Sequence, residues 1–195
     1  MRFLPMRLCP FLPKLLPAVI LGLFMCGAQA AVPAPAPDSL RPLLVTMYER
    51  LSIADQVALS KWDTRQPTQD SAREAQVIAN ARKQALERKL DPDEVAELVA
   101  AQIEASKLVQ YGLLAQWQAA GKAPDTPRPD LSTQVRPRLD QLQARLLTEY
   151  AKFARYRTDP NCPLWLATAR SGLIKDALHG QGLIRATGDL CITAQ

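Results

Sequence analysis

The chain has 195 residues, 48% hydrophobic and 6% aromatic, with 24 Lys and Arg against 19 Asp and Glu. Three of the cations, Arg2, Arg7 and Lys14, sit in an N-terminal leader; without it the net charge falls from +5 to +2, and no basic stripe with interleaved aromatics supports nucleic-acid binding. His179 is the only histidine, which excludes a histidine-based triad and a multi-histidine metal site.

In chain order, "MRFLPMRLCPFLPK" is basic with no acid, "LLPAVILGLFMCG" is a short apolar run, and "AQA" at 28–30 is a small-x-small cleavage site. That pattern predicts a secretory signal over 1–30, cleaved after Ala30. The apolar run is short for a membrane span. Cys26 raises a lipoprotein alternative, which the bulky Met25 before it disfavours. Residues 31–38 read as an extended Pro/Ala linker, and 39–195 as one domain with room for a real core.

Within that domain the periodicity is helical. Leu40, Leu44, Met47, Leu51, Ala54 and Ala58 predict a first helix over 39–62, with Pro67 breaking the chain. A second helix runs from Ser71 to about Lys89. Either "SARE" forms a capping box from Ser71 with Glu74 at its third position, or Asp70 is the N-cap. "DPDE" at 91–94 starts a third helix, with Asp91 as N-cap, Pro92 in the first turn and Glu94 closing a capping box; Gly121 stops it. The Pro-rich "KAPDTPRPD" leads to a fourth helix over about 132–157. One or two shorter helices complete an all-α bundle of long helices with a disulfide-tied C-terminal region. After signal cleavage Cys162 and Cys191 remain, and in an oxidising compartment they read as one disulfide, with two free buried thiols as the alternative. Closing that loop contributes roughly 3–4 kcal/mol in the chain-entropy model.

Polar residues at helix-face positions carry the functional signal. Arg50 and Lys61 are eleven residues apart, three turns along one face, with Ala54 and Val57 between them as a small apolar floor. Snorkelling surface cations are the bland reading of such a pair. Arg73 lies in the first turn of the second helix, where a cation opposes the helix dipole. Gln102, Ser106 and Gln110 form a four-residue-step polar stripe on the apolar third helix, and Arg136 precedes Pro137 at the start of the fourth. The set offers cations and neutral donors with one glutamate, and no Cys nucleophile, Ser/His pair or phosphate-cradling glycine loop. It suits a small polycarboxylate ligand.

The ordered constellation resembles the all-α chorismate mutases, and among them the secreted monofunctional type. It comprises "ERL" at 49–51, "KW" at 61–62, "P-x-x-DSxRE" over 67–74, "DPDEV" at 91, "QIEASKLVQYGLLAQWQ" at 102–118 and "DLSTQVRPRLDQL" from 130, so it covers roughly 39–150. The export signal and the late cysteine pair look like that subgroup. The resemblance implies rearrangement of chorismate to prephenate, which needs no metal or other cofactor, and a homodimer. It implies that Arg50 and Arg136 hold the two substrate carboxylates, with Arg73 supporting that network. Lys61 would contact a carboxylate and the ether oxygen, and Gln110 would be the second ether-oxygen donor. Glu74 and the backbone near Asp70 would meet the ring hydroxyl, while Ser106 lines the carboxylate end. Arg138 is the alternative to Arg136 if the register slips by one residue. Two rival readings stay open: an isochorismate–pyruvate lyase on a similar scaffold, and an exported helical bundle that binds without catalysing.

Overall fold

A computed structural model describes residues 34–192; the predicted signal over 1–30, its cleavage site and linker residues 31–33 lie outside the described residues. Seven α-helices occur among the described residues: α1 Leu40–Ser52, α2 Ala54–Thr64, α3 Ser71–Glu87, α4 Pro92–Ala120, α5 Arg136–Phe153, α6 Cys162–Ser171 and α7 Ala177–Ala186. A π turn, Leu131–Val135, leads into α5, and a 3-10 turn, Ala154–Tyr156, comes after it. None of these helices is long and apolar enough to cross a membrane.

The single first helix expected over 39–62 is broken at Ile53. The Ile53 amide donates to the Arg50 carbonyl at 3.2 Å, three residues back, and the four-residue pattern resumes when Val57 donates to Ile53. One turn earlier the Ser52 hydroxyl donates to the Tyr48 carbonyl at 2.9 Å, a back-bond that bends helices. Ala54 joins the main core instead of flooring a pocket, while Ile53 packs with Val135 and Leu142 in a second cluster.

The helix starts obey local chemistry. Asp70, and not Ser71, caps α3 by accepting from the Arg73 amide at 3.1 Å, and Glu74 reaches back to the Asp70 amide from one position later than a capping box requires. Lys89, with φ 56°, ends α3: Leu90 donates to Ala85 and Lys89 to Leu86, the double bond of a Schellman turn. Asp91 caps α4 with bonds of 2.8 and 3.0 Å to the Asp93 and Glu94 amides, and Gly121 at φ 72° terminates it. The expected capping-box role of Glu94 is not taken. Its carboxylate instead accepts from the Tyr150 hydroxyl at 3.1 Å and pairs with Arg157 at 2.7 Å.

Before α5, Val135 donates to the Asp130 carbonyl and Arg136 to that of Leu131, both five residues back. Pro137 explains the widened turn, because its ring has no N–H and would crowd the carbonyl four residues earlier.

At 29 residues and 1.5 Å per residue, α4 is about 43 Å long and forms the spine, packed by α1, α2, α3 and α7. The main core around it includes Leu43, Leu44 and Met47 of α1 and Leu146, Leu147 and Phe153 of α5, which packs on α1, all fully buried. Gly182 permits the close approach of α7, since a Cβ there would lie 2.9 Å from Val109 and 3.0 Å from Leu51. The Cys162–Cys191 disulfide ties the start of α6 to the segment after α7. Buried Arg157 holds the same tail, donating to the Leu190 carbonyl at 3.1 Å and the Asp189 carbonyl at 3.2 Å.

Candidate active site

A polar concavity lies between α1–α2, the start of α3, the middle of α4 and the π turn with α5. Its volume is about 200 Å³. All eight residues singled out in the sequence line it: Arg50, Lys61, Asp70, Arg73, Glu74, Ser106, Gln110 and Arg136. Arg138 is not on the lining. Apolar contacts come from Val57, Val77, Ile103, Leu131, Val135 and Leu139.

Arg50 projects from the last turn of α1 and is 9% exposed. Its Nη1 donates to the Leu139 carbonyl at 2.9 Å, while its buried Nε has no hydrogen-bond partner. Burial lowers its pKa to about 10, with Asp140 pulling the other way. A guanidinium held like this is costly unless it meets an anion.

Lys61 stands three turns on, and its Nζ donates to the carbonyls of Pro67 and, at 3.2 Å, Thr68. The break after α2 thus folds the 65–70 loop back onto the lysine and fixes its direction. Burial lowers the Lys61 pKa, Asp70 and Glu74 partly restore it, and Arg136 lowers it further.

Arg73 donates to Gln76 at 2.8 Å and lies 3.9 Å from the Asp140 carboxylate, linking α3 to α5. Glu74 is held at both oxygens: Oε1 accepts from the Asp70 amide at 3.2 Å, and Oε2 accepts from Lys107 at 3.1 Å.

The polar stripe of α4 is buried, not solvated. Gln102 and Gln110 are each 5% exposed. Gln102 donates its amide to the Ala186 carbonyl at 2.8 Å, anchoring α7. Gln110 Nε2 donates to Ser106 Oγ at 3.0 Å, which leaves its Oε1 buried without a partner. With that amide turned over, the Ser106 hydroxyl donates to Oε1 and Nε2 takes the unpartnered position, a free donor for a ligand.

Four lining groups escaped the sequence reading. Lys107 follows Ser106 by one residue and resembles an ordinary helix-surface cation in sequence. Asp140 has the same disguise. Thr68 is placed only by the loop. Gln143 had a readable signal: it lies four residues after Leu139 and three before Leu146, so it is a polar residue on the apolar face of α5, and it is 5% exposed.

The lining holds five cations, Arg50, Lys61, Arg73, Lys107 and Arg136, against three carboxylates, Asp70, Glu74 and Asp140. An excess of two positive charges on partly apolar walls suits a compact dianion. Among the described residues, no group of three or more His, Cys, Asp or Glu is arranged to hold a metal ion.

Comparison with known proteins gives a consistent picture. The model of the family chorismate mutase type II matches residues 41–111. The chain is 31% identical over 159 residues to a secreted chorismate mutase of Mycobacterium tuberculosis, a match covering 79% of each chain. It is 33% identical over 134 residues to a monofunctional chorismate mutase of Enterobacter agglomerans, covering 65% of this chain and 68% of that one. The crystal structure of a chorismate mutase from Burkholderia phymatum superposes with a TM-score of 0.78 at 43% identity, covering 80% of this chain and 97% of the other. A Burkholderia thailandensis chorismate mutase gives 0.77 at 34% identity, covering 80% and 100%.

Proposed function

This chain belongs to the chorismate mutase family, and we propose from that premise how its cavity converts chorismate into prephenate. Arg50 and Arg136 bind the two carboxylates. Planar guanidinium forks fix carboxylates in orientation as well as position, which selects the compact conformer in which the reacting carbons meet. Arg73 adds to the same field through Asp140. Lys61 and Gln110 donate to the ether oxygen, where negative charge builds as the carbon–oxygen bond breaks. Glu74 and the adjoining Asp70 backbone receive the ring hydroxyl, and Ser106 aligns the Gln110 amide.

An intramolecular rearrangement asks for little more than this. Acceleration of about 10⁶ requires ~8 kcal/mol. One donor aimed at a developing oxyanion contributes about 2.7–4 kcal/mol. Two such donors with the positioning of the carboxylates reach that total. The observation carrying the reading is the convergence on a single cavity of the excess cations and the Gln110 amide, whose buried oxygen has no partner.

Export belongs to the proposal. Matched relatives are named secreted chorismate mutases, and the leader 1–30 is read as a signal cleaved after Ala30, releasing residues 31–195 to the periplasm or medium. N-terminal sequencing of exported protein should begin at Ala31. Homodimer formation is part of the same reading. The proposed substrate contacts are all made from within one chain, so specific activity should hold on dilution through the dimer's dissociation range.

The test of the reaction compares two substrates. Oxidised 31–195 should consume chorismate and yield a product that acid converts to phenylpyruvate, while leaving isochorismate intact. Pyruvate release from isochorismate would transfer the scaffold to lyase chemistry, and turnover of neither would reduce it to a binding module.

A further inference from the structure

The cavity contains two lysines, and their partners differ. Lys61 Nζ is held only by neutral carbonyls, those of Pro67 and Thr68, so its charge is directed at whatever enters. Lys107 Nζ is bracketed by two carboxylates, Glu74 Oε2 at 3.1 Å and Glu104 Oε1 at 2.7 Å. The pair with Glu74 is partly buried, the lysine side chain being 14% exposed and the glutamate 21%. Glu104 is 47% exposed and holds the lysine from the solvent side, one turn back on α4. Its hydrogen bond is the largest influence raising the Lys107 pKa; burial opposes it and Glu74 adds to it, so the lysine stays charged.

Glu74 is therefore clamped across two helices. The Asp70 amide at the start of α3 holds one oxygen, and α4 holds the other through Lys107. A carboxylate with both oxygens fixed retains lone pairs for a hydroxyl but has no freedom to swing. It also faces a ligand of its own charge sign, and an unpaired carboxylate in a low-dielectric wall would repel a dianion.

We infer that Lys107 is a positioning and specificity-determining residue: it fixes the Glu74 carboxylate to receive the substrate's ring hydroxyl and cancels its charge before a dicarboxylate. The inference rests on the proposed reaction. Glu104 sets Lys107, Lys107 sets Glu74, and Glu74 meets the substrate. Lys107 itself touches no reacting atom.

A double-mutant cycle tests it with wild type, Lys107→Met, Glu74→Gln and the double variant. Lys107→Met should raise KM about tenfold while kcat changes less than about threefold, because the hydroxyl contact is equal in ground and transition states. Adding Glu74→Gln should not lower kcat/KM further and should recover part of the KM, since the repelling charge is gone. Lys107→Arg should restore most of the loss. Calorimetric affinity for a cyclic dicarboxylate inhibitor, with and without a ring hydroxyl, reads the same coupling without turnover. The Lys107→Met penalty should be larger for the hydroxylated inhibitor. Lys107→Gln replaces Lys107→Met if the latter fails to fold by circular dichroism. An equal penalty for Lys107→Met in the wild-type and Glu74→Gln backgrounds would overturn the inference. Absence of chorismate turnover in wild type, with the binding cycle intact, would overturn the reaction and leave the Lys107–Glu74 coupling standing.

Discussion

Two buried arginines sit in different regions of this bundle and are finished to different degrees. Arg157, 8% exposed, has its charge met: Nε and Nη2 donate to the carbonyls of Leu190 and Asp189, Nη1 lies 2.7 Å from the Glu94 carboxylate as an ion pair without hydrogen-bond geometry, and the face of Tyr150 is 5.5 Å from the guanidinium. Arg50, 9% exposed, has one carbonyl, at Leu139, and an orphaned Nε. Arg157 closes the fold around the disulfide-tied tail. Arg50 carries an unbalanced charge in a wall that also holds Lys61, Arg73 and Arg136. Each guanidinium keeps one nitrogen without a hydrogen bond, so the difference lies in the charge: Arg157 has the Glu94 carboxylate at 2.7 Å, and Arg50 has no ion-pair partner among the described residues, as the proposed carboxylate-binding role requires.

Exchanging each arginine for methionine is the harshest way to break the comparison. Arg157→Met orphans two carbonyls and leaves Glu94 without its cation, so it should cost about 3 kcal/mol in urea unfolding. Its kcat/KM should stay within a few-fold of wild type. Arg50→Met removes a desolvated charge, so stability should hold or rise, while kcat/KM should fall about 10²-fold or more with loss of a carboxylate anchor. A fall in both quantities for both variants would erase the distinction.

The cavity's donors sharpen the contrast through pH. Gln110 is neutral, so kcat should be flat through neutral pH. Gln110→Glu donates to the ether oxygen only when protonated and should be active mainly in acid; superimposable profiles would contradict the donor role. At the alkaline end, burial lowers the pKa of Arg50 to about 10 and also lowers that of Lys61. The proposed roles require the cationic forms, so kcat/KM should decline as pH rises through about 10.

The smallest effect belongs to the structural side. His179 bridges Asp55 and Asp176, each at 2.9 Å, joining the start of α7 to α2. Burial works against the imidazolium, but hydrogen bonds to Asp176 and Asp55 outweigh it, and the pKa is raised from 6.5. Tyr48 and Lys175 lie in the same neighbourhood. With the folded pKa above the unfolded one, this stabilisation is fully present below pH 6.5 and disappears as pH rises through the folded value. It should amount to less than about 1 kcal/mol. His179→Gln should remove that pH dependence from thermal unfolding and leave kcat unchanged.

Local rules made much of the fold readable. Asp91, Pro92 and Gly121 delimit α4 because caps depend on adjacent residues alone. The interruption at Ile53 and the π turn before Pro137 were not readable: Ser52 and Pro137 mark places where a helix can bend, but the sequence does not say which carbonyl each amide then takes. In the cavity, Arg50 and Gln110 were visible as polar groups on apolar faces, and Gln143 was visible on the same ground but passed over. Lys107 and Asp140 could not be distinguished from solvated charges, because only the packing of α3 on α4 and of α5 on α1 and α3 decides what they face. Glu94 shows the opposite error: a valid local motif was overridden by tertiary partners, Tyr150 and Arg157.

The central claim is that the unbalanced charges of this cavity act on a breaking bond. Its most direct test is single-turnover prephenate formation by oxidised 31–195 and by Lys61→Ala at saturating chorismate. The account predicts that the variant keeps its fold and loses about 10²- to 10³-fold in rate, the effect of removing one donor from a developing oxyanion. A variant rate near that of wild type would contradict it.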